Sequence, residues 1–572
     1  MLDSSLGRKI RIWAERFKGD EVQLSVLLSL IIGVLVGLVT VAFIVLTGRL
    51  AAQMYPPGGA AWRRILVPTV GSLVTGFLLY RYFPNARGSG IPQTKFALFI
   101  NDGYIRLRTV VGKFVCCSTS LASGIALGRE GPSVQIGAGI ASVLGRKFGL
   151  SPKNVKALIP VGCAAALAAA FNTPIAAVLF SLEEILGDLH APVLGSIVIS
   201  SATSWMILHL VLGDEPLFHV PAYRLVSPLE FGIYALLGVV GGLGSVCFVK
   251  LLLKLRVFFM RLPKSTAWAQ PVVGGLLVGL LGWYMPEVLG VGYGYVEQVL
   301  GGTFPLQTVA ILAVLKIVAT ATCYSSGNAG GIFGPSLFIG AMIGGAVGSI
   351  AHTLLPAVTA NPGAYALIGM GTAFAGIVRT PLTSVIMIFE LTRDYSIIVP
   401  LMISNLISFF ISQRLQHEPI YEALALQEGV FLPTRESREE LSGIRVGEVM
   451  QTGVTPLPPD TDLGAGKSRL TELGTNAWPV GPSDRLFGVI TAREMETSGA
   501  EPRTLGAIVD ANGKFPFVHV DHSVSRALER MGAAGVDALP VVSRQNIREL
   551  RGVITLANIL AAYGVIHGIV KD

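Results

Sequence analysis

The chain has 572 residues, of which 52% are hydrophobic and 14% are charged, and its net charge is +8. This composition excludes intrinsic disorder and argues against a soluble enzyme, because soluble domains carry about 25% charged residues. Residues 1–430 carry +10, whereas residues 431–572 carry −2 and are much richer in charged side chains. The pattern predicts a membrane domain joined to a soluble one, with no nucleic-acid partner.

The chain begins with a basic segment followed by an apolar stretch. The uncharged residues 24–47 are long enough to span a bilayer. The preceding cations favour a cytoplasmic N-terminus, and the length of the apolar stretch argues against a cleaved signal peptide. We therefore predict a cytoplasmic segment over 1–20 and a transmembrane domain over 21–425.

Further apolar stretches follow, and several are short or interrupted by Gly and Pro. They lie near 65–80, 109–127, 157–182, 192–213, 231–249, 271–284, 305–323, 331–355, 363–389 and 396–413. Interrupted segments at matching places in two halves are typical of a transporter binding site.

Two blocks of sequence occur twice in the same order. GPSVQIGA at 131–138 returns as GPSLFIGA at 334–341, with six of eight positions identical. The block at 162–183 returns at 369–390 with Thr-Pro and a final Glu in register. This pattern predicts two structural repeats, and they are expected over about 21–220 and 225–425.

Three Gly/Pro breaks predict helices that begin inside the membrane. They are GSGIP at 88–92, GREGP at 128–132 and GIFGP at 331–335. A helix N-terminus presents free N–H groups and the positive end of the helix dipole, so it attracts an anion. Three such ends could hold one anion without a fixed cation, and weakly enough for release.

Carboxylates stand out in these apolar segments. Glu130 would compete with an anion for its helix end and could take up a proton; the alternative is a plain ion pair with Arg129. Glu183 and Glu184 suggest a proton route, because carboxylates are costly in a membrane; the alternative is a solvated helix end.

The last part of the chain changes to short strands and amphipathic helices. After a linker over 426–445, we predict two βαββα-like units, over 446–500 and 504–567. Each contains the sequence GVIT, at 488–491 and at 552–555.

The three Gly/Pro motifs resemble the signature motifs of the CLC chloride channels and transporters. The resemblance covers about 20–425 and includes FELTRDYSIIVP at 389–400. The paired GVIT strands, with LPVV at 539–542, resemble tandem CBS domains, which some members carry. The resemblance implies a multi-pass α-helical, inverted-repeat membrane fold followed by an α/β CBS pair. It also implies a homodimer with one pathway per subunit.

The resemblance further implies roles for particular residues. Chloride would contact the hydroxyl of Ser89, the backbone N–H groups of Ile332 and Phe333, and Tyr421. Ser89 is the chloride-type residue of the family. Glu130 would be the gate and outer proton acceptor, and Glu184 the internal one. The supporting residues would be Lys113, Gly128, Arg129, Gly131, Pro132 and Glu183. Taken alone, Tyr421 would be an interfacial anchor and Lys113 a snorkelling side chain.

CBS pairs often bind adenine nucleotides through Gly-x-x-Thr-x-x-Asp. Here Thr491 is followed by Glu494, and Thr555 by Asn558. Glu494 would accept ribose hydroxyls better than Asn558. The alternative is a dimerising structural module without a ligand.

We predict proton-coupled chloride antiport in a bacterial inner membrane, with both termini cytoplasmic. The alternative is a passive chloride channel of the same fold. A CBS-regulated cation transporter would need a ring of pore carboxylates, and an enzyme would need a nucleophile–base pair or a metal cluster; neither pattern is present in the sequence. All five cysteines are expected to be buried, namely Cys116, Cys117, Cys163, Cys247 and Cys323.

Overall fold

The computed structural model describes residues 21–56, 58–214, 216–220, 225–430, 444–497, 504–509, 513 and 515–562. The chain divides into two units, Met1–Leu432 and Pro433–Asp572. The predicted N-terminal segment, most of the predicted linker and the last residues of both predicted soluble units lie outside the described residues.

In the described part of the chain, the first half of the membrane unit contains eight α-helices. They are α1 (Glu21–Met54), α2 (Ala61–Arg81), α3 (Ile91–Phe99), α4 (Leu107–Ala122), α5 (Glu130–Lys147), α6 (Pro152–Phe171), α7 (Pro174–Phe180) and α8 (Leu194–Leu212). A π-helical turn, Ser181–Leu186, follows α7.

The second half repeats this order of long and short helices. It contains α9 (Glu230–Arg261), α10 (Gln270–Tyr284), α11 (Tyr293–Leu300), α12 (Leu306–Ser325), α13 (Phe333–Leu354), α14 (Pro362–Val378), α15 (Pro381–Thr392) and α16 (Ile398–Leu415). A short helix, α17 (Ile420–Gln427), follows. The duplication seen in two sequence blocks therefore extends over the whole unit, with α3, α5 and α7 corresponding to α11, α13 and α15.

Two of the predicted apolar stretches are each divided into two helices. The stretch 157–182 breaks between α6 and α7, and 363–389 breaks between α14 and α15. The break residues Asn172 and Arg379 have left-handed backbones, with φ of 61° and 66°. Thr-Pro follows each of them, and a residue before proline disfavours helical geometry. The repeated Thr-Pro dipeptide therefore marks a helix break in both halves.

Glycines allow the helices behind the two central breaks to approach closely. A methyl group on Gly137 of α5 would lie 2.3 Å from the carbonyl oxygen of Gly162 in α6. In the second half, a methyl group on Gly340 would lie 2.2 Å from the carbonyl oxygen of Gly369. Small residues at such contacts are typical of helix packing in membranes.

The described residues include seven helical segments that are long and apolar enough to cross a membrane. Four of the five cysteines are buried, but Cys247 is exposed. The prediction for Cys247 is therefore wrong. It follows Leu236, Val240 and Leu243 at helical spacing on an exposed apolar face of α9.

The tail is built from short helices and four strands within the described residues. They are α18 (Val446–Val449), α19 (Leu463–Leu473), β1 (Ala477–Val480), β2 (Gly488–Thr491), α20 (Ala492–Thr497), α21 (Leu505–Ile508), α22 (Val524–Ala534), β3 (Ala538–Val542), β4 (Leu550–Thr555) and α23 (Leu556–Ala562).

The two halves of the tail have the same topology. β1 pairs with β2 and β3 with β4, both antiparallel. A parallel bridge extends each sheet, from Leu457 to Val480 and from Val518 to Val541. Apolar side chains from both halves share two cores, so the halves form one structural unit.

Candidate functional site

The second and third Gly/Pro motifs meet backbone to backbone. Gly128 and Gly331 form an antiparallel bridge in which each N–H donates to the other carbonyl at 2.7 Å. The bridge sets the start of α5, at Glu130, beside the start of α13, at Phe333. Pro132 lies in the first turn of α5, where its missing N–H costs no intrahelical hydrogen bond.

The first motif touches the same place. Gly88 and Gly90 have φ of 88° and 104°, which turn the chain sharply around Ser89. A methyl group on Gly131 would lie 2.5 Å from the carbonyl oxygen of Ser89, so the start of α3 packs against the start of α5. The structure therefore brings together the three helix starts that the sequence singled out.

A buried lysine supports the turn before Ser89. Lys113 is fully buried, and its Nζ donates to the carbonyls of Ala86 and Gly88 at 3.0 and 2.6 Å. It is not a snorkelling side chain. In the second half, Lys316 donates in the same way to the carbonyls of Val288 and Gly290, at 3.0 and 2.7 Å.

The hydroxyl groups of Ser89 and Tyr421 are two buried hydrogen-bond donors of the candidate site. Both side chains are fully buried, and within the described residues neither oxygen makes a hydrogen bond of normal geometry. The side chain of Tyr324 lies beside that of Ser89. Buried hydroxyls normally have a partner, so each of these two groups is free to donate to a further acceptor.

Ile332 and Phe333 lie at the start of α13, where N–H groups have no intrahelical acceptor. The ring of Phe333 packs among Phe171, Phe180 and Phe374, with centroids 4.8, 5.5 and 4.3 Å away. This aromatic cluster fixes the position of the start of α13.

The carboxylate of Glu130 occupies that same helix start. It is fully buried; Oε2 accepts from the N–H of Gly334 at 3.2 Å, and Oε1 accepts from the hydroxyl of Tyr293. Arg129 contributes a longer contact of 3.8 Å and lies over the ring of Tyr293. A plain ion pair with Arg129 is therefore not the main interaction of Glu130. The carboxylate occupies a position suited to an anion.

Glu183 caps a helix in the opposite half of the unit. Its carboxylate accepts from the N–H of Thr383 at 2.8 Å and from the Thr383 hydroxyl at 2.7 Å. Its repeat partner Glu390 accepts from the N–H groups of Ile175 and Ala176 at 2.9 and 2.7 Å. Each half thus caps the Thr-Pro helix of the other, a role that the sequence did not predict for Glu183.

Glu184 is buried on the π-helical turn and has a cationic partner. Its Oε1 lies 2.9 Å from Nζ of Lys95 on α3, and both side chains are 6% exposed. Lys95 also donates to Oε1 of Glu422 on α17, whose side chain is 7% exposed. The alternative of a solvated helix end therefore does not hold for Glu184, although Asp188 and His190 nearby are exposed.

Sequence reasoning missed Tyr293, Lys95 and Glu422. The sequence did contain a signal for Tyr293. This residue directly follows GVG at 290–292, which matches GSG at 88–90 in the first half. Lys113 and Lys316 likewise stand 203 residues apart, which is the offset of the first repeated block. Lys95 and Glu422 had no such signal, because their partners are distant in the chain.

In the tail, the candidate nucleotide residues bond within their own unit. Glu494 Oε2 accepts from the N–H and hydroxyl of Thr491 at 2.9 and 2.7 Å. Asn558 Oδ1 accepts from the N–H and hydroxyl of Thr555 at 3.1 and 2.6 Å. Both pairs therefore close the turn between the last strand and the following helix.

The family of the chain follows from its match to known proteins. The family model described as voltage-gated chloride channel (CLC) matches residues 71–413, more than half of the chain. The chain belongs to this family, and its membrane unit has the inverted-repeat helical CLC fold. A CBS domain model matches residues 507–564, which confirms a CBS domain in the tail.

Particular relatives support the same grouping. The chain is 32% identical over 366 residues to the H+/Cl− exchange transporter ClcA of Vibrio campbellii, covering 63% of this chain and 78% of the relative. It is 35% identical over 349 residues to a protein of Ralstonia nicotianae named as ClcB-like and as a chloride channel protein, covering 60% and 81%. The crystal structure of a slow cyanobacterial Cl−/H+ antiporter has a TM-score of 0.65 and 27% identity, covering 71% of this chain and 97% of the antiporter.

Proposed function

We propose that this integral membrane protein exchanges chloride for protons, through one pathway in each subunit. The observation that carries the proposal is the position of Glu130. Its carboxylate accepts from the Gly334 N–H at the start of α13, beside Ile332 and Phe333. Chloride and an ionised Glu130 therefore compete for the start of α13. Protonation of Glu130 removes the negative charge that competes with chloride.

The rest of the proposed chloride pathway is formed by Ser89 and Tyr421. Their buried hydroxyls supply donors from two different helix starts, α3 and α17. Glu184 is the proposed internal proton acceptor, because it is buried, carries a carboxylate and belongs to another part of the unit than Glu130. Relatives named as H+/Cl− exchange transporters support the coupling.

A passive chloride channel is the second candidate, and one observation favours it. Lys95 lies 2.9 Å from Glu184, and an ammonium group at this distance opposes proton uptake by the carboxylate. The buried cluster around Lys95 also contains a second carboxylate, that of Glu422.

We further propose a homodimer in a bacterial inner membrane with both termini in the cytoplasm. The basic segment before α1 and the family support this arrangement. The CBS tail is a proposed regulatory module, and an adenine nucleotide is its candidate ligand. Chemical cross-linking in membranes tests the dimer, with the subunit mass doubling as the expected result.

Transport by the purified protein in liposomes tests the main proposal. A chloride electrode and an internal pH dye record both ions while a chloride gradient is the only driving force. We expect protons to move in the opposite direction to chloride and to build up a pH gradient. Chloride flux without proton movement would establish the channel instead.

A further inference from the structure

Three charged side chains meet in a buried cluster between α3, the π-helical turn and α17. Lys95 of α3 contacts both Glu184 of the π-helical turn and Glu422 of α17. All three are 6–7% exposed, so solvent screens them little. We call these residues the inner triad.

The charge of the inner triad is balanced only when it holds one proton. With both carboxylates ionised, its net charge is −1; with one proton on either carboxylate, it is zero. An unbalanced buried charge is unfavourable, so the charge balance favours the form that holds one proton. Oε2 of Glu422 is buried and has no hydrogen-bond partner among the described residues, so it has room for that proton.

The neighbouring carboxylate does not offer the same chemistry. Glu183 is adjacent in sequence, but its oxygens accept from Leu382 and Thr383 at the start of α15. Tyr421 precedes Glu422 on α17, so one short helix presents both a proposed chloride donor and a triad carboxylate.

We propose that Glu422 is a second proton acceptor and that Lys95 makes Glu184 and Glu422 act as a one-proton site. A proton from the cytoplasm forms an O–H bond with one carboxylate, and the same bond breaks when the proton leaves toward Glu130. Lys95 stays charged throughout and is a positioning residue. The inference rests on the proposed exchange function, which it deepens.

The charge balance predicts an unusual pattern of single and double variants. In Glu422→Gln, the remaining Glu184 and Lys95 are neutral together, and a proton would leave a buried positive charge. We therefore expect the ratio of protons to chloride to fall at least about tenfold. Glu184→Gln should behave in the same way, with Glu422 paired to Lys95.

Removing the cation from either variant should restore coupling. In Lys95→Met/Glu422→Gln, Glu184 alone alternates between neutral and −1, as the wild-type triad does. In Lys95→Met/Glu184→Gln, Glu422 alone does so. If Lys95 has only a structural role, proton coupling in each double variant should be weaker than in the corresponding single variant.

The assay is the liposome experiment above, with chloride flux as the measure of folding and Glu428→Gln as the control. Glu428 is a carboxylate at the end of the same helix, paired with Arg256 at 2.5 Å, and its removal should leave coupling unchanged.

Full coupling in Glu422→Gln overturns the proposal. Loss of coupling in both double variants, with chloride flux intact, also overturns it. If Glu422→Gln does not fold, the coupling of Lys95→Met/Glu184→Gln tests the proposal by itself: restored coupling supports it and lost coupling overturns it. Absence of proton movement in the wild type would instead overturn the exchange function.

Discussion

At the scale of single residues, the contacts of Glu130 allow a direct test of its role as the gate. Glu130→Gln keeps the shape of the side chain but removes the charge that competes for the start of α13. We expect chloride flux to persist and proton coupling to disappear, because an amide cannot carry the proton. Paired chloride and pH recordings from liposomes measure both. Uphill proton movement in this variant would show that Glu130 is not the gate.

Ser89 is expected to set the preference among anions. Ser89→Pro removes a buried hydroxyl donor and changes the turn between two positive-φ glycines. Nitrate is less strongly hydrated than chloride and loses less from a missing donor, so relative nitrate transport should rise. Ser349→Ala, on the distant end of α13, is the control. An unchanged chloride-to-nitrate ratio would place Ser89 outside the pathway.

Tyr293 is expected to hold the side chain of Glu130 in its buried position. Its hydroxyl donates to Glu130, and its ring packs on Phe218 and beneath Arg129. Hydrogen bonds to charged groups contribute about 1.5–3 kcal/mol, so Tyr293→Phe should release Glu130 and raise chloride turnover roughly tenfold or more. Tyr295→Phe, two residues along α11, serves as the matched control. Turnover that is unchanged or lower would remove Tyr293 from the gate.

At the scale of helices, the close approach of α5 and α6 positions the start of α5. Gly137→Ala would place a methyl group 2.3 Å from a backbone oxygen that cannot move aside. We expect a loss of about 1–3 kcal/mol in unfolding free energy, measured as a lower melting temperature in detergent. Gly232→Ala in α9, where a methyl group would meet nothing within 4 Å, should have no such effect. Equal melting temperatures for both variants would contradict this packing argument.

At the scale of the whole molecule, the separate tail unit should report nucleotide binding. A ligand that binds only the folded tail stabilises it by about 2.7 kcal/mol at 100 times its dissociation constant. We expect ATP or AMP to raise the melting temperature of the tail in the full-length protein. GTP is the control for the adenine ring. No shift at millimolar nucleotide would favour a structural module.

Local sequence determined much of this protein. Apolar length and charge separated the membrane unit from the tail, and Gly and Pro marked the helix starts because they restrict backbone geometry wherever they occur. The three Gly/Pro motifs that contain Ser89, Glu130 and Phe333 could be recognised in the sequence for the same reason. The internal duplication could be read because Thr-Pro and Glu recur in register.

Only the tertiary structure decided which of these groups touch. Glu130 and Tyr293 are 163 residues apart, and Lys95 and Glu422 are 327 apart, so no local spacing relates them. The reciprocal caps of Glu183 and Glu390 likewise require the two halves to be folded against each other. A buried charge is stable only beside its partner, and that partner is chosen by the fold, because burial and distance are properties of three dimensions.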